Sequence, residues 1–87
     1  MDKEKAINEI VAYLKKDRAV KKHLVGEIQV KKDNLLYPEI YVGWNSRKLS
    51  TATYVMRRVM EVYGDIVPNV GFYNGLAPHI IVPIKID

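Results

Sequence analysis

Two patterns in this chain are suited to holding another molecule: runs of cations and a set of tyrosines. Lys15-Lys16-Asp17-Arg18-Ala19-Val20-Lys21-Lys22 carries five positive charges against one negative in eight residues. Like charges at that density repel one another and favour a polyanion, and phosphates held this way are bound without regard to base sequence. A second basic group, Trp44-Asn45-Ser46-Arg47-Lys48-Leu49-Ser50-Thr51, falls where a helix is expected to start. That end of a helix already carries partial positive charge, so Arg47 and Lys48 either seat an anion with the free amides or stay solvated at a cost of about a few tenths of a kcal/mol. It is not a P-loop, because the glycines are missing. Arg47, Thr51, Tyr54 and Arg58 follow at i, i+4, i+7 and i+11, with Arg57 beside them. Such a stripe either contacts phosphates and base edges or is the wet side of an amphipathic helix.

The tyrosines lie on alternating segments. Tyr37, Tyr41 and Tyr73 fall on the outward set, together with Lys31, His79, Ile81 and Lys85. Aromatic rings on an open sheet face can stack splayed bases while lysines meet phosphates. The competing reading is a face covered by a second copy of the chain or by a protein partner.

Catalytic chemistry is not signalled. There is no cysteine, which removes thiol catalysis, disulfides and zinc–thiolate sites and fits a reducing, cytoplasmic setting. His23 and His79 have no carboxylate at metal-ligand or triad spacing. Glu39 and His79 stand forty residues apart, so a repeated architecture could bring them together as an acid–base pair. Ser46, Ser50 and Thr51 have no neighbouring base. The expectation is therefore a binding protein with no metal or cofactor.

The chain has 87 residues and a net charge of +4, equal to that of the 15–22 run alone, so the remainder is close to neutral. That length makes one domain, residues 1–87, with no linker, and a modest core for which a homodimer offers extra burial. The charged N-terminus is not a signal peptide. The most apolar run, Leu76 to Ile86, is interrupted by Pro78, His79, Pro83 and Lys85 and is too short to span a membrane.

Apolar residues Ile7, Ile10, Val11 and Leu14 predict a helix over 2–16, ending near Lys16 or running on to about Lys22. Strands are expected over Leu24 to Lys32 and Leu35 to Trp44, around an Asp33-Asn34 turn. A second helix, capped by Asn45 or Ser46, presents Leu49, Ala52, Met56, Val59, Met60 and Tyr63 to the core and stops at Gly64. Strands over Ile66 to Tyr73 and Leu76 to Ile86 flank Asn74-Gly75, the strongest short hairpin signal.

These elements echo. Val30, Asn34, Leu36, Pro38, Ile40 and Val42 recur as Val70, Asn74, Leu76, Pro78, Ile80 and Val82, and Ala12 as Ala52, all forty residues on. The expected fold is α+β: a two-layer sandwich with αββαββ internal duplication (repeats 2–44 and 45–87). Two helices lie on one face of a four-stranded antiparallel sheet. That order is a circular permutation of the ferredoxin-like βαββαβ pattern, a remark on topology alone. Pro38 and Pro78 cannot donate to a ladder, which places the second strand of each repeat at the sheet edge and the first strands in the centre.

The functional expectation is a small basic nucleic-acid-binding protein. Phosphates fall to Lys15, Lys16, Arg18, Lys21, Lys22, Arg47, Lys48, Arg57 and Arg58, and stacked bases to Tyr37, Tyr41 and Tyr73. The alternative is a homodimeric interaction or assembly module without catalytic activity.

Overall fold

A computed structural model describes residues 2–33 and 36–86. Asn34 of the expected first turn and Leu35, the expected start of the second strand, lie outside the described residues.

Helix α1 (Lys3–Lys16) buries Ala6, Ile7, Ile10 and Leu14 along one stripe. It stops at Asp17, whose backbone is extended (φ −67, ψ 130). Asp17 then caps a second short helix, α2 (Arg18–His23), by accepting the amides of Ala19 and Val20 on its side chain. Of the two sequence-based alternatives, the end near Lys16 holds and the continuous run to Lys22 out of contact with the core does not. The helix does end at Lys16, but the chain turns and resumes, and Val20 enters the core at 1 % exposure.

The sheet runs β1 (Gln29–Lys31), β2 (Glu39–Gly43), β4 (His79–Pro83), β3 (Gly71–Tyr73), antiparallel throughout. The second strand of each hairpin is therefore central, and the expected order is reversed. The reason is where the prolines sit. Pro38 and Pro78 fall just before β2 and β4, where the ladder needs only their carbonyls. Ile84 donates its amide to Pro38 O and Trp44 to Pro78 O, each at 2.9 Å. A proline at the end of a central strand forfeits little, because the donor it lacks is the last of the row.

β2 and β4 pair Tyr41 with Ile81, residues forty apart. Their inward residues Ile40, Val42, Ile80 and Val82 are fully buried. The edge strands are shorter than expected. Leu24 bridges to Trp44, but Gly26 (φ 75) adds slack before β1 begins at Gln29, two residues out of the earlier register. Leu36 and Leu76, expected inside, lie ahead of their strands and are 87 % and 105 % exposed.

Helix α3 (Leu49–Tyr63) follows a short 3-10 turn, Ser46–Lys48. It buries Ala52, Val55 and Val59, while Met60 faces outward, so the core stripe is rotated toward Val55 relative to the expectation. Tyr13 packs edge-on against Tyr63 and Asp17 meets Arg58, which sets α1 and α3 side by side and antiparallel on the sheet. Ala12 is exposed and Ala52 buried, so the helices do not keep the forty-residue offset. Ile7, Ile10 and Leu14 instead match Ala52, Val55 and Val59, forty-five apart. The difference lies in the connectors: residues 17–28 join α1 to β1, whereas the shorter 64–70 joins α3 to β3. Among the described residues no helix is long and apolar enough to cross a membrane.

Candidate nucleic-acid interface

The lysine run occupies the end of α1 and all of α2. Lys15, Lys16, Arg18, Lys21 and Lys22 are exposed, while Val20 and the Asp17 cap pull the segment against the core. Asp17 Oδ1 accepts Ala19 N at 2.9 Å and Val20 N at 3.1 Å. Its Oδ2 accepts Arg58 Nε at 3.0 Å and Nη2 at 2.6 Å. The Asp17 side chain is 7 % exposed and that of Arg58 40 %. The one acid of the run is thus turned inward and neutralised, and the cations around it face solvent. The same contact joins the lysines to the outer side of α3, where Arg57 and Tyr54 are exposed.

Arg47 and Lys48 lie on the 3-10 turn before α3 and are exposed. The local cap is made by Asn45, whose Oδ1 accepts the Arg47 amide at 2.9 Å and whose carbonyl accepts the Lys48 amide at 2.9 Å. Two amides that an anion would need are satisfied internally, so this corner offers side-chain charge rather than a phosphate cradle. Trp44, 1 % exposed, anchors the turn by donating Nε1–H to Lys48 O (2.8 Å) and to Thr51 Oγ1 (3.2 Å). Thr51, read from spacing as part of the outer stripe, belongs to that anchor and bonds Lys48 O in turn.

The tyrosines face the other way. Strand alternation that buries Ile40, Val42, Ile80 and Val82 under the helices turns Glu39, Tyr41, His79 and Ile81 to the open side of the sheet. A row of side chains crosses all four strands there. Tyr73 lies 5.1 Å from His79, His79 stacks on Tyr41 at 5.0 Å and 20°, and Lys31 Nζ sits 4.4 Å from the Tyr41 ring centroid. Because His79 comes from β4 and Lys31 from β1, on either side of β2, both faces of Tyr41 are covered. Lys85 Nζ lies 5.1 Å over Tyr37. His79 Nδ1 is 2.9 Å from Ala77 O; a carbonyl only accepts, so Nδ1 donates this bond.

Glu39 and His79 are not brought together. Glu39 pairs with Pro83 and His79 with Gly43, at opposite ends of the central ladder, with Tyr41 between them. Tyr41 donates its hydroxyl to Glu39 at 2.7 Å, and this bond, with burial and the charge of Glu39, raises the phenol above its ordinary value. Tyr63 is also raised, by burial first and then by Glu9 and Tyr13. At one end of this face a shallow cleft of about 490 Å³ is bordered by Lys31, Tyr41, Trp44, Ser46 and His79. Among the described residues no three ligating side chains cluster for a metal ion.

The expected site residues therefore divide between two sides of the sandwich. Lys15, Lys16, Arg18, Lys21, Lys22, Arg57 and Arg58 belong to the helical layer, and Tyr37, Tyr41 and Tyr73 to the open sheet face. One short strand of nucleic acid cannot touch both sides at once. Arg58 is occupied by Asp17, a partnership hinted at in the sequence only by a lone acid within a basic run. No protein family, curated protein or solved structure matches this chain.

Proposed function

We propose that this chain is a small nucleic-acid-binding protein that grips phosphates with its helical layer. The observation that carries the reading is the arrangement around Asp17: five exposed cations between Lys15 and Lys22, with the intervening acid buried against Arg58. Contacts of this kind release counterions, so the logarithm of affinity falls steeply with the logarithm of salt, by about 0.7 to 0.9 per phosphate neutralised. Labelled single- and double-stranded DNA and RNA titrated across a salt series test it. Replacing Lys15, Lys16, Lys21 and Lys22 together by glutamine weakens binding and flattens the slope. Absence of binding at low salt, or a slope near zero, overturns the reading.

A second reading assigns the open sheet face to a second copy of the chain or to a protein partner. It is favoured by the ring faces of Tyr41 being filled by His79 and Lys31, which leaves little plane for a base. Sedimentation of wild type and Tyr41→Glu tests it. A concentration-dependent dimer that the substitution dissociates supports this reading, and a monomer at high concentration removes its homodimer form.

We further infer that the two halves are copies of one helix–hairpin unit in permuted ferredoxin-like order. The forty-residue pairing of Tyr41 with Ile81 and the central position of both second strands support it. Refolding of separately made 2–44 and 45–87 segments into one complex tests it.

A further inference from the structure

We propose that Tyr54 is the base-stacking residue of the helical layer, and that the ligand it selects is a single strand rather than a duplex. The inference rests on the phosphate-binding reading above and names its ligand class.

Five of the six tyrosines have a ring partner: Tyr13 and Tyr63 pack on each other, Tyr41 and Tyr73 flank His79, and Tyr37 lies under Lys85. Tyr54 has none among the described residues and is 59 % exposed. Large rings are commonly kept from water unless something else covers them.

Its position supplies the rest. Tyr54 projects from the middle of α3, opposite the buried Ala52, Val55 and Val59. Arg57 and Arg58 follow at i+3 and i+4 and are its surface neighbours. Arg58 is turned aside to Asp17, the cap of α2, which holds the exposed lysine run against α3, and Arg57 is exposed with no ion-pair partner among the described residues. An exposed aromatic plane beside free cations is the arrangement that holds a backbone while stacking an unpaired base. A duplex keeps its bases stacked inside and offers such a ring nothing but an edge. On the sheet face Tyr41 lies between His79 and Lys31, Tyr73 leans on His79 and Tyr37 lies under Lys85, so each ring there already has a partner.

The test uses the intact chain, fluorescence anisotropy at low salt, a labelled oligothymidylate and a labelled mixed-sequence duplex. Tyr54→Ala weakens oligothymidylate binding by about five- to 150-fold, the usual loss for one stacked base, and leaves duplex binding unchanged. Its salt slope stays that of wild type, because no charge is removed. Tyr54→Trp restores affinity, and the introduced indole is quenched when the oligothymidylate binds. Because Tyr54 is exposed, both variants retain the wild-type fold, which circular dichroism verifies. Wild-type single-strand binding that Tyr54→Ala does not alter overturns this inference and leaves the phosphate reading standing. So does a wild-type preference for duplex. Failure of the wild type to bind either probe overturns both.

Discussion

Asp17 serves two elements with two oxygens: Oδ1 caps α2, and Oδ2 holds Arg58 on α3, forty-one residues away. Asp17→Ala removes both. The cap contributes about 1 kcal/mol, and hydrogen bonds to a charged partner about 1.5–3 kcal/mol, toward the lower end here because Arg58 is partly solvated. Asp17→Asn keeps a good cap and loses the charge, so it destabilises less. Urea unfolding of the two variants separates the contributions; equal midpoints would show that the ion pair, rather than the cap, carries the whole effect.

The Glu39–Tyr41 bond makes stability depend on pH in the alkaline range. Folding raises the Tyr41 phenol above its unfolded value near 10.0, so the protonated form is the one the fold favours. The contribution is complete below the unfolded value and disappears as pH climbs through the folded one. Glu39→Gln removes the carboxylate that holds the proton, and tyrosinate absorbance then appears at lower pH than in the wild type. An unchanged titration curve would separate Tyr41 from Glu39.

Trp44 is the single tryptophan, and it ties the end of β2 to the start of α3. Trp44→Ala costs about 3–5 kcal/mol, enough to unfold a domain of this size in mild denaturant. Thr51→Val removes one acceptor of the indole and costs about 1 kcal/mol. In the wild type, emission is blue-shifted and iodide-resistant, and it shifts red at the same urea concentration at which helical circular dichroism is lost. Separated transitions would mean that α3 melts independently of the sheet.

Gly43 and Gly26 respond differently to alanine. Gly26 has open space around it but a positive φ, so Gly26→Ala costs about 1–2 kcal/mol of backbone strain. At Gly43 the added methyl meets the Val25 carbonyl oxygen, which cannot withdraw while Val25 N is bonded to Gly43 O at 3.0 Å. Gly43→Ala is the more destabilising, and amide hydrogen exchange at Val25 accelerates. Thermal melts that rank the two variants in the other order contradict this account.

What the sequence disclosed and what it concealed follow the range of the interactions. The stripes Ile7–Ile10–Leu14 and Ala52–Val59, and the alternation through Ile40–Val42 and Ile80–Val82, are local patterns and emerge as helices and strands. The strand order did not, because the proline argument considered the missing donor and not its place at the end of the ladder. Helix α2 was hidden because Asp17 reads as a charge among charges until its side chain is seen to cap. The clustered cations were legible from spacing alone. Their separation from the tyrosines was legible too, because strand alternation sets Tyr37, Tyr41 and Tyr73 on the face away from the helices, although a one-residue change of register would have reversed it.

The longer connector between α1 and β1 sets how the molecule can be altered. Its counterpart between α3 and β3 shows that the two layers can be joined with fewer residues and no lysine. A chain rebuilt with the shorter connector in both places would keep the rungs of β1 to β4, give up the Leu24–Trp44 bridge and lose Arg18, Lys21 and Lys22 in one operation. The loss of Val20 from the core would cost about 1.5–3 kcal/mol. Scaffold and charge are thus largely separable parts, joined through the Asp17 carboxylate and the core contacts of Val20, Leu24 and Ile28, and the connector is open to exchange on an otherwise constant framework.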